Sequence, residues 1–392
     1  MMTGALDRVR VLDFTTTIAG PHGTRLLADF GAEVIKIEAP EGDMMRTRPP
    51  LRNGASTSFG QLNAGKKSIV LDLKTPQAVE AVRRLVATAD IVVENFRPGV
   101  MRRFGLDYEA LAPIKTELIY CAISGYGQTG PSSQLPAYAP VIHAASGYDL
   151  AHMAYQGEMR RPDYCGIYIA DVLAGTYAYG AIITALYHRQ LTGRGQMIDV
   201  SMLESMLSLT LSEIQAAQFS LPPMGRPIFG PIATKDGYIN LSIASERTFR
   251  NLATASGHPQ WVTDRRFARY NDRRANWGEL IDELESWSKE RTTEEVQALF
   301  DRHGVPSSPY RTVKAAMADP QLAHRRAFTD INDAGGTFQA LNPPFRMSET
   351  PGAASPRVAS LGEHTEELLA EIGYNRGQIA DLVSPAKSES RG

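Results

Sequence analysis

From residue 8 to residue 124 the chain alternates short aliphatic runs with runs whose apolar positions recur every three or four residues. RVRVLDF, AEVIKIEA, SIVLDL, DIVVENF and ELIYCAIS read as strands, and GPHGTRLLADFG, TPQAVEAVRRLVATA and RPGVMRRFG as helices between them. Such alternation predicts βα units and a largely parallel sheet covered by helices. In TPQAVEAVRRLVATA, Val79, Val82, Leu85 and Val86 share one helical face, with Glu80, Arg83 and Arg84 on the other, so one face packs on the sheet.

Further on, residues 167–190 read as one long helix stopped by GRGQ, MIDVSM as a strand, and LESMLSLTLSEIQAAQF as a mostly buried helix. The cluster LPPMGRPIFGP breaks the pattern and marks a linker. Beyond it, GYINLSIA reads as a strand, and ERTFRNLATASG, NWGELIDELESWSKER and TTEEVQALFDRHG as charged amphipathic helices. A further helix is expected through AAMADPQLAHRRA, strands at FTDIN and TFQALNPPF, a late helix at HTEELLAEIGY, and a frayed tail SPAKSESRG. The expected organisation is a large α/β domain over 1–220, a smaller α+β domain over 221–318, and a return segment, 319–392, that completes the large domain.

Composition narrows the function classes. Of 392 residues, 43% are hydrophobic and 21% charged, which suits packed cores rather than disorder. Lys and Arg total 41 against 43 Asp and Glu, so no global field draws in nucleic acid or anionic membrane. The N-terminal MMTGALDRVR lacks an apolar signal core and no run of ~18 apolar residues is evident, so a cytoplasmic protein that spans no membrane is expected. Cys121 and Cys165 lack metal-ligand spacing and are expected to be buried free thiols. The eight histidines form no HxH or HExxH pattern, so no bound metal is expected.

Four segments carry candidate chemistry. Gly125 to Gly130 spells GxGxxG after a strand, but Pro131, Ser132, Ser133 and Pro136 follow where a dinucleotide site needs a helix N-terminus. It reads instead as a glycine-rich loop at the carboxyl end of a strand, where open α/β sheets bind ligands. In IYIADVLAGTYAYGAIITALY the single charged residue is Asp171, and Ala174, Gly175 and Ala178 follow at helical spacings, so the acid heads a face that another backbone can approach closely. Two readings fit Asp171 from pattern alone: a helix-capping carboxylate, or a desolvated nucleophile. Ala19, Gly20 and Pro21 form a βα turn able to hold an adenine or phosphate, and NFRPG with Arg102 and Arg103 repeats the theme with cations.

These segments resemble the class III CoA-transferases, a family with formyl-CoA and carnitine CoA-transferases and the related α-methylacyl-CoA racemases. The resemblance runs nearly end to end, through VLDFTTTIAGPHGTRLLADFGAEVIKIEAPEGD, NAGKKSIVLDLKT, VVENFRPGVMRRFGLDYEAL, SGYGQTGP, the Asp171 helix and LGEHTEELLAEIGY. It implies a Rossmann-like large domain with a parallel sheet, a smaller α+β domain, and a ring-shaped chain interlocked with a second copy in a homodimer. It implies CoA and acyl-CoA as substrates, with no permanently bound cofactor, and a free carboxylic acid as the acceptor.

By resemblance the catalytic aspartate falls on Asp171, and CoA contacts fall on Thr17, Ile18, Ala19, Leu71, Lys74, Asn95, Phe96, Met101 and Arg103. Ala39 and Pro136 stand where formyl-CoA transferase has an arginine and a lysine, so Arg46, Arg48 and Arg102 become candidate replacement cations. Tyr138 and Ala139 occupy the positions of the racemase His-Asp pair, and tyrosine is a poor base at neutral pH, so transfer is favoured over racemisation. Ile18 and Ala139 replace a glutamine and a glutamate of formyl-CoA transferase, which implies a wider, less polar acid pocket built with Tyr138 and Gly127. The glycines at 125, 127 and 130, or N–H groups at the start of the Asp171 helix, are the candidate oxyanion donors. Arg160, Arg161, His143 and His152 are candidate partners for a second carboxylate on a C4 or C5 acid, the rival being an apolar pocket for an aromatic or branched acid.

Overall fold

The computed structural model describes residues 4–156, 161–163, 165–219 and 229–383. Along the chain run β1 (Arg10–Asp13), α1 (Ala19–Asp29), β2 (Glu33–Glu38), the hairpin β3 (Leu51–Arg52) and β4 (Ala55–Ser56), α2 (Thr57–Asn63), β5 (Lys67–Val70), α3 (Pro76–Thr88) and β6 (Ile91–Glu94). There follow α4 (Val100–Arg103), α5 (Tyr108–Leu111), β7 (Ile119–Ser124), α6 (Ala139–Ala145), α7 (Tyr148–Tyr155), α8 (Ile169–Thr192), β8 (Gln196–Ser201), α9 (Met202–Leu207) and α10 (Leu211–Ala217). Next come β9 (Phe229–Ala233), β10 (Tyr238–Ser242), α11 (Glu246–Ala255), α12 (Tyr270–Ala275), α13 (Trp277–Ser288), α14 (Thr293–His303) and β11 (Ser307–Pro309). The last elements are α15 (Val313–Met317), α16 (Pro320–His324), β12 (Phe328–Asp333), β13 (Gly336–Leu341), α17 (Thr365–Glu371) and α18 (Arg376–Val383).

Two compact units emerge. One comprises Met1–Leu150, Asp163–Ile214 and Gln321–Gly392, and the other Ala151–Pro162 and Gln215–Pro320. The expected boundaries at 220/221 and 318/319 stand beside chain divisions at 214/215 and 320/321.

The first unit is built on a six-stranded sheet in the order β5-β2-β1-β6-β7-β8, every neighbouring pair parallel. The inner strands β1, β2, β6 and β7 bury nearly all of their residues because both faces are covered. Alternate residues feed opposite cores: Leu12, Ile35, Val92, Tyr120 and Ala122 pack with α3 residues and Leu368 of α17. Val11, Val34, Ile91, Val93, Ile119, Cys121 and Ile123 pack instead with α1, α6, α8 and α9. On α3 the buried face is Ala78, Ala81, Val82, Leu85 and Val86, with Val79 at its margin and Glu80 and Arg84 exposed. Thr75 caps that helix through Ala78 N–H, and Gly193, in the left-handed conformation, ends α8. The second unit packs the antiparallel sheet β11-β10-β9 with α11, α13 and α14 around Phe249, Trp261, Phe267 and Phe300.

Several expectations need correction. The helix read over LESMLSLTLSEIQAAQF is two, α9 and α10, and α10 has no buried residue. The helix through AAMADPQLAHRRA is likewise two, α15 and α16, because Pro320 cannot continue a preceding helix. Of the linker, Phe229, Gly230 and Pro231 belong to β9; the rest up to residue 228, and the tail after residue 383, lie outside the described residues. Cys121 is buried but Cys165 only partly, since its segment lies outside the sheet. By length and composition α8 could cross a membrane, although no such run was read from the sequence. Its stripe Ala170, Ala174, Gly175, Ala178, Ile182 and Ala185 is buried inside the unit.

Beneath the carboxyl end of β1 lies a buried polar cluster. Asp13 accepts from Thr15, from Thr24 Oγ1 at 2.8 Å and from Lys66 Nζ at 2.9 Å. Burial alone would raise the Asp13 carboxyl, yet Lys66, Lys36 and Thr15 outweigh it and hold it at about 2. Lys66→Met strands that buried charge and should cost about 3–5 kcal/mol in urea unfolding. Adding Asp13→Asn should recover part of the loss; a double variant as unstable as the two single losses summed would rule out charge pairing as the cause.

Candidate active site

An open parallel sheet binds ligands at the carboxyl ends of its strands, where the chain order reverses. Here that point lies between β1 and β6: from β1 the chain proceeds outward through β2 and β5, then returns to β6 and proceeds the other way. The turn after β1 is tied across the reversal. Asn95, just past β6, accepts from Thr16 N–H and donates to Thr16 O, both at 2.8 Å, and Phe14 N–H reaches Val93 O at 2.9 Å. Glu94 Oε2 accepts Phe96 N–H at 2.8 Å, and burial pushes its carboxyl up to about 8, so it is protonated at neutral pH.

A cavity of about 270 Å³ opens at these strand ends, lined by Thr16, Ala39, Leu71, Lys74, Phe96 and Phe104 among others. Of the predicted CoA contacts, Leu71, Lys74 and Phe96 line it. Thr17, at φ 69°, forms the turn after β1, Ile18 is the N-cap of α1 and Ala19 its first residue. Arg103 joins Lys74 in the wall of an adjoining cavity. Met101 differs: it is a core residue under α4, 3% exposed, and lines neither cavity. Among the candidate replacement cations, Arg46 is committed to Glu38 at 2.6 Å and stacks on Phe59, while Arg102 pairs with Asp107 and Glu109. Arg48 is exposed.

Asp171 is the third residue of α8, counted from the N-cap Tyr168. Its carboxylate is partly buried, and the backbone N–H groups of Ala19, at the start of α1, and of Asp171 itself favour its charged form. Two helix N-termini therefore converge on one acid, which is favourable to its negative charge. Burial still wins, and the carboxyl is raised to about 6. The capping role and a chemical role coexist in one side chain.

The convergence depends on two glycines. A Cβ on Gly23 would lie 2.7 Å from Gly175 O, and one on Gly175 would collide with Ala19 O and lie 3.1 Å from Gly23 N. One turn along, His22 Nε2 meets Thr176 Oγ1 at 3.3 Å. Burial, together with Arg25 and Lys66, lowers His22 to about 4, so its ring is neutral.

The residues predicted for the acid pocket lie on α6 and on the glycine-rich loop after β7. Ala139 opens α6 and is buried in the same core as Ala19, Ala170 and Ala174, whereas Tyr138, the N-cap of α6, is 66% exposed. Gly127 adopts φ 87°, and the next residue, Gln128, donates its N–H to Asp199 at 2.9 Å. Of the N–H groups at the start of the Asp171 helix considered as oxyanion donors, that of Ala170 is already given to His143 Nε2. Of the candidates for a second carboxylate, His143 is buried and accepts Ala170 N–H at 3.2 Å, and His152, on α7, lies 3.3 Å from Gln156 just past that helix. Arg161 is exposed and Arg160 lies outside the described residues. Sequence reasoning missed Glu94 and His22 at this site; an acid closing an apolar strand and a histidine opening a buried helix were the available signals.

Comparison with known proteins adds independent findings. The sequence model described as CoA-transferase family III matches residues 6–365. The chain is similar to the succinyl-CoA–D-citramalate CoA-transferase of Chloroflexus aurantiacus, 35% identical over 96% of each chain. It is also similar to the human succinyl-CoA:glutarate CoA-transferase, 34% identical over 97% of this chain and 89% of that one. A crystal structure of a CAIB/BAIF family protein from Brucella suis superposes with a TM-score of 0.82 at 34% identity, covering 94% of this chain and all of that one.

Gly175→Ala should push α1 and α8 apart, cost about 1–3 kcal/mol in thermal unfolding and depress activity in the protein that stays folded. Gly278→Ala is the control: on α13 a Cβ there meets nothing within 4 Å, so about 0.4–1 kcal/mol of stabilisation is expected. Equal effects at the two positions would refute the close-approach argument.

Proposed function

We propose, from the premise that the chain belongs to CoA-transferase family III and is a CoA-transferase, that Asp171 is its nucleophile and a dicarboxylic acid its acyl acceptor. The observation that carries the first part is the Asp171 carboxylate, partly desolvated between two helix N-termini and raised to about 6. Such a group is ionised at neutral pH and is a stronger nucleophile than an ordinary surface carboxylate. One of its oxygens attacks the thioester carbonyl, the C–S bond breaks, and CoA leaves as the thiolate while a mixed anhydride forms on Asp171. The acceptor carboxylate then attacks the acyl carbon and frees Asp171. The thiolate attacks the acceptor-derived carbonyl, which yields the new thioester and releases the donor acid.

Relatives whose names pair succinyl-CoA with D-citramalate and with glutarate support a dicarboxylate acceptor. The exposed apolar residues Val172, Tyr177, Tyr187 and Leu191 on α8 support a second copy covering that face, in keeping with the interlocked, ring-shaped homodimer implied by the family. The reading places this enzyme in the cytoplasm.

Given donor thioester without acceptor, the enzyme should accumulate an acyl-aspartyl adduct that hydroxylamine converts and peptide mass spectrometry locates at Asp171. Asp171→Asn, which keeps the shape, should abolish both adduct and turnover; near-normal turnover would sink the nucleophile. Activity should fall as pH drops through about 6, where Asp171 takes up a proton. Stability should respond oppositely. With its folded pKa above the unfolded value, Asp171 favours the fold most below the unfolded pKa, and that contribution is lost as pH rises through about 6. Asp171→Asn should therefore not destabilise the neutral-pH protein.

A matrix of acyl-CoA donors against free acids decides the acceptor. Succinate, glutarate and methyl-substituted C5 diacids should give the highest kcat/KM, and a preference for monocarboxylic aromatic or branched acids would reject the dicarboxylate reading.

A further inference from the structure

The N–H groups of Ile169, Ala170 and Asp171 open α8 ahead of any intrahelical acceptor, and Tyr168 at the N-cap gives no side-chain bond. Ile169 N–H reaches Ile167 O at 3.0 Å, and the Asp171 N–H favours the charge of its own carboxylate. Ala170 N–H crosses to another helix, where it donates to His143 Nε2 at 3.2 Å. A ring nitrogen that accepts carries no proton, so His143 is the neutral Nδ1–H tautomer. Among the described residues that Nδ1 finds no hydrogen-bond partner, although the residue is only 1% exposed. A Ser, Thr or Asp at position 168 would cap the helix without leaving such a donor unmade. A purely structural cap therefore accounts poorly for the imidazole.

His143 also shares the buried face of α6 with Ala139, one turn earlier, so the same short helix carries a wall of the predicted acid pocket and the tie to α8. Among the described residues the groups around the ring are few. From α7, Tyr148 places its ring centroid 6.0 Å away and Asp149 favours the protonated form; from α8, Asp171 follows the tied residue; Glu204 on α9 is exposed. Burial outweighs Asp149, and the imidazole titrates below its ordinary range.

We propose that His143 is a positioning residue for the transfer reaction: its neutral imidazole fixes the first turn of α8 and with it the aim of the Asp171 carboxylate. This rests on the reading of Asp171 as nucleophile. Protonation would place an N–H on Nε2 opposite the Ala170 N–H, two donors facing each other, and the helix start would lose its tie. Productive transfer then needs two groups without their protons, Asp171 and His143.

The test is steady-state kinetics of the full chain across the acid range for wild type, His143→Leu and His143→Gln. His143→Leu should lose roughly 10- to 100-fold in kcat, the scale expected when a reacting group is misplaced by about 1 Å, with KM for acyl-CoA unchanged. His143→Gln, whose side-chain carbonyl can accept the Ala170 N–H, should restore most of that loss. The acid limb of the wild-type profile should steepen from a slope of one to a slope of two, while His143→Gln keeps a slope of one from Asp171 alone. Wild-type kcat and acid slope in folded His143→Leu, or a slope of two in His143→Gln, overturn the proposal. If His143→Leu does not fold, the slope of His143→Gln decides. Turnover by Asp171→Asn would strike the nucleophile reading instead, so the two failures are distinct.

Discussion

The backbone contact between α1 and α8 is the constraint on which the candidate site depends. Helix axes usually stand about 8–10 Å apart because side chains fill the space between them. At Gly23 and Gly175 there is no side chain to fill it, and the carbonyl of each partner's turn occupies the place a Cβ would take. The gain is positional. α1 begins where the turn after β1 ends, α8 begins two residues before Asp171, and the close crossing brings the Ala19 N–H near enough to favour the Asp171 charge. A wider crossing with larger side chains would bury more apolar surface and leave the acid out of reach of that donor.

What α1 brings to the crossing is a turn held under strain. Thr17 adopts φ 69°, a left-handed conformation that costs a non-glycine residue roughly 1–3 kcal/mol. The surroundings hold it there: Asn95 clamps Thr16 on both backbone groups, Thr17 N–H approaches Asp43 at 3.5 Å, and Lys36 ties Asp43 to Thr15 O. The buried Asp13–Lys66 pair lies directly beneath. Buried ion pairs are weak sources of net stability, since desolvation offsets most of their attraction. Their effect here is geometric, fixing one conformation of a turn whose backbone meets the strand-end cavity.

The parallel sheet was legible because its cause is local and repeated: strands buried on both faces are nearly continuous apolar runs, and each intervening helix shows its own period. The small-residue stripe after Asp171 was legible for the same reason, Ala174, Gly175 and Ala178 falling at helical spacing. Helix ends inside apolar stretches were not. The break between α9 and α10 has no glycine or proline to announce it, so LESMLSLTLSEIQAAQF reads as continuous. Cross-chain pairings were also hidden. Arg46 looked available for a phosphate and is instead spent on Glu38 within its own unit, and His143 looked available for a substrate carboxylate and is turned onto Ala170. Residue type gives the chemistry a side chain can do; only packing tells which partner has already taken it.

The competition between Asp171 and Cys121 as nucleophile turns on the same balance of burial against donors. A thiolate is intrinsically the better nucleophile, but burial against the apolar face of the sheet, with Glu94 and Asp199 nearby, pushes the Cys121 thiol far above its ordinary range. At neutral pH it is a protonated core residue. Asp171 is also raised by burial, and by itself that would remove its charge too. Its two N–H donors limit the rise, so the carboxyl stops at about 6: ionised under working conditions, yet more basic than a solvated carboxylate. Stronger donation would give a stable, unreactive anion, and weaker donation a neutral acid. The crossing of α1 and α8 sets how much donation Asp171 receives, so the packing that shapes the first unit also tunes the group proposed to react.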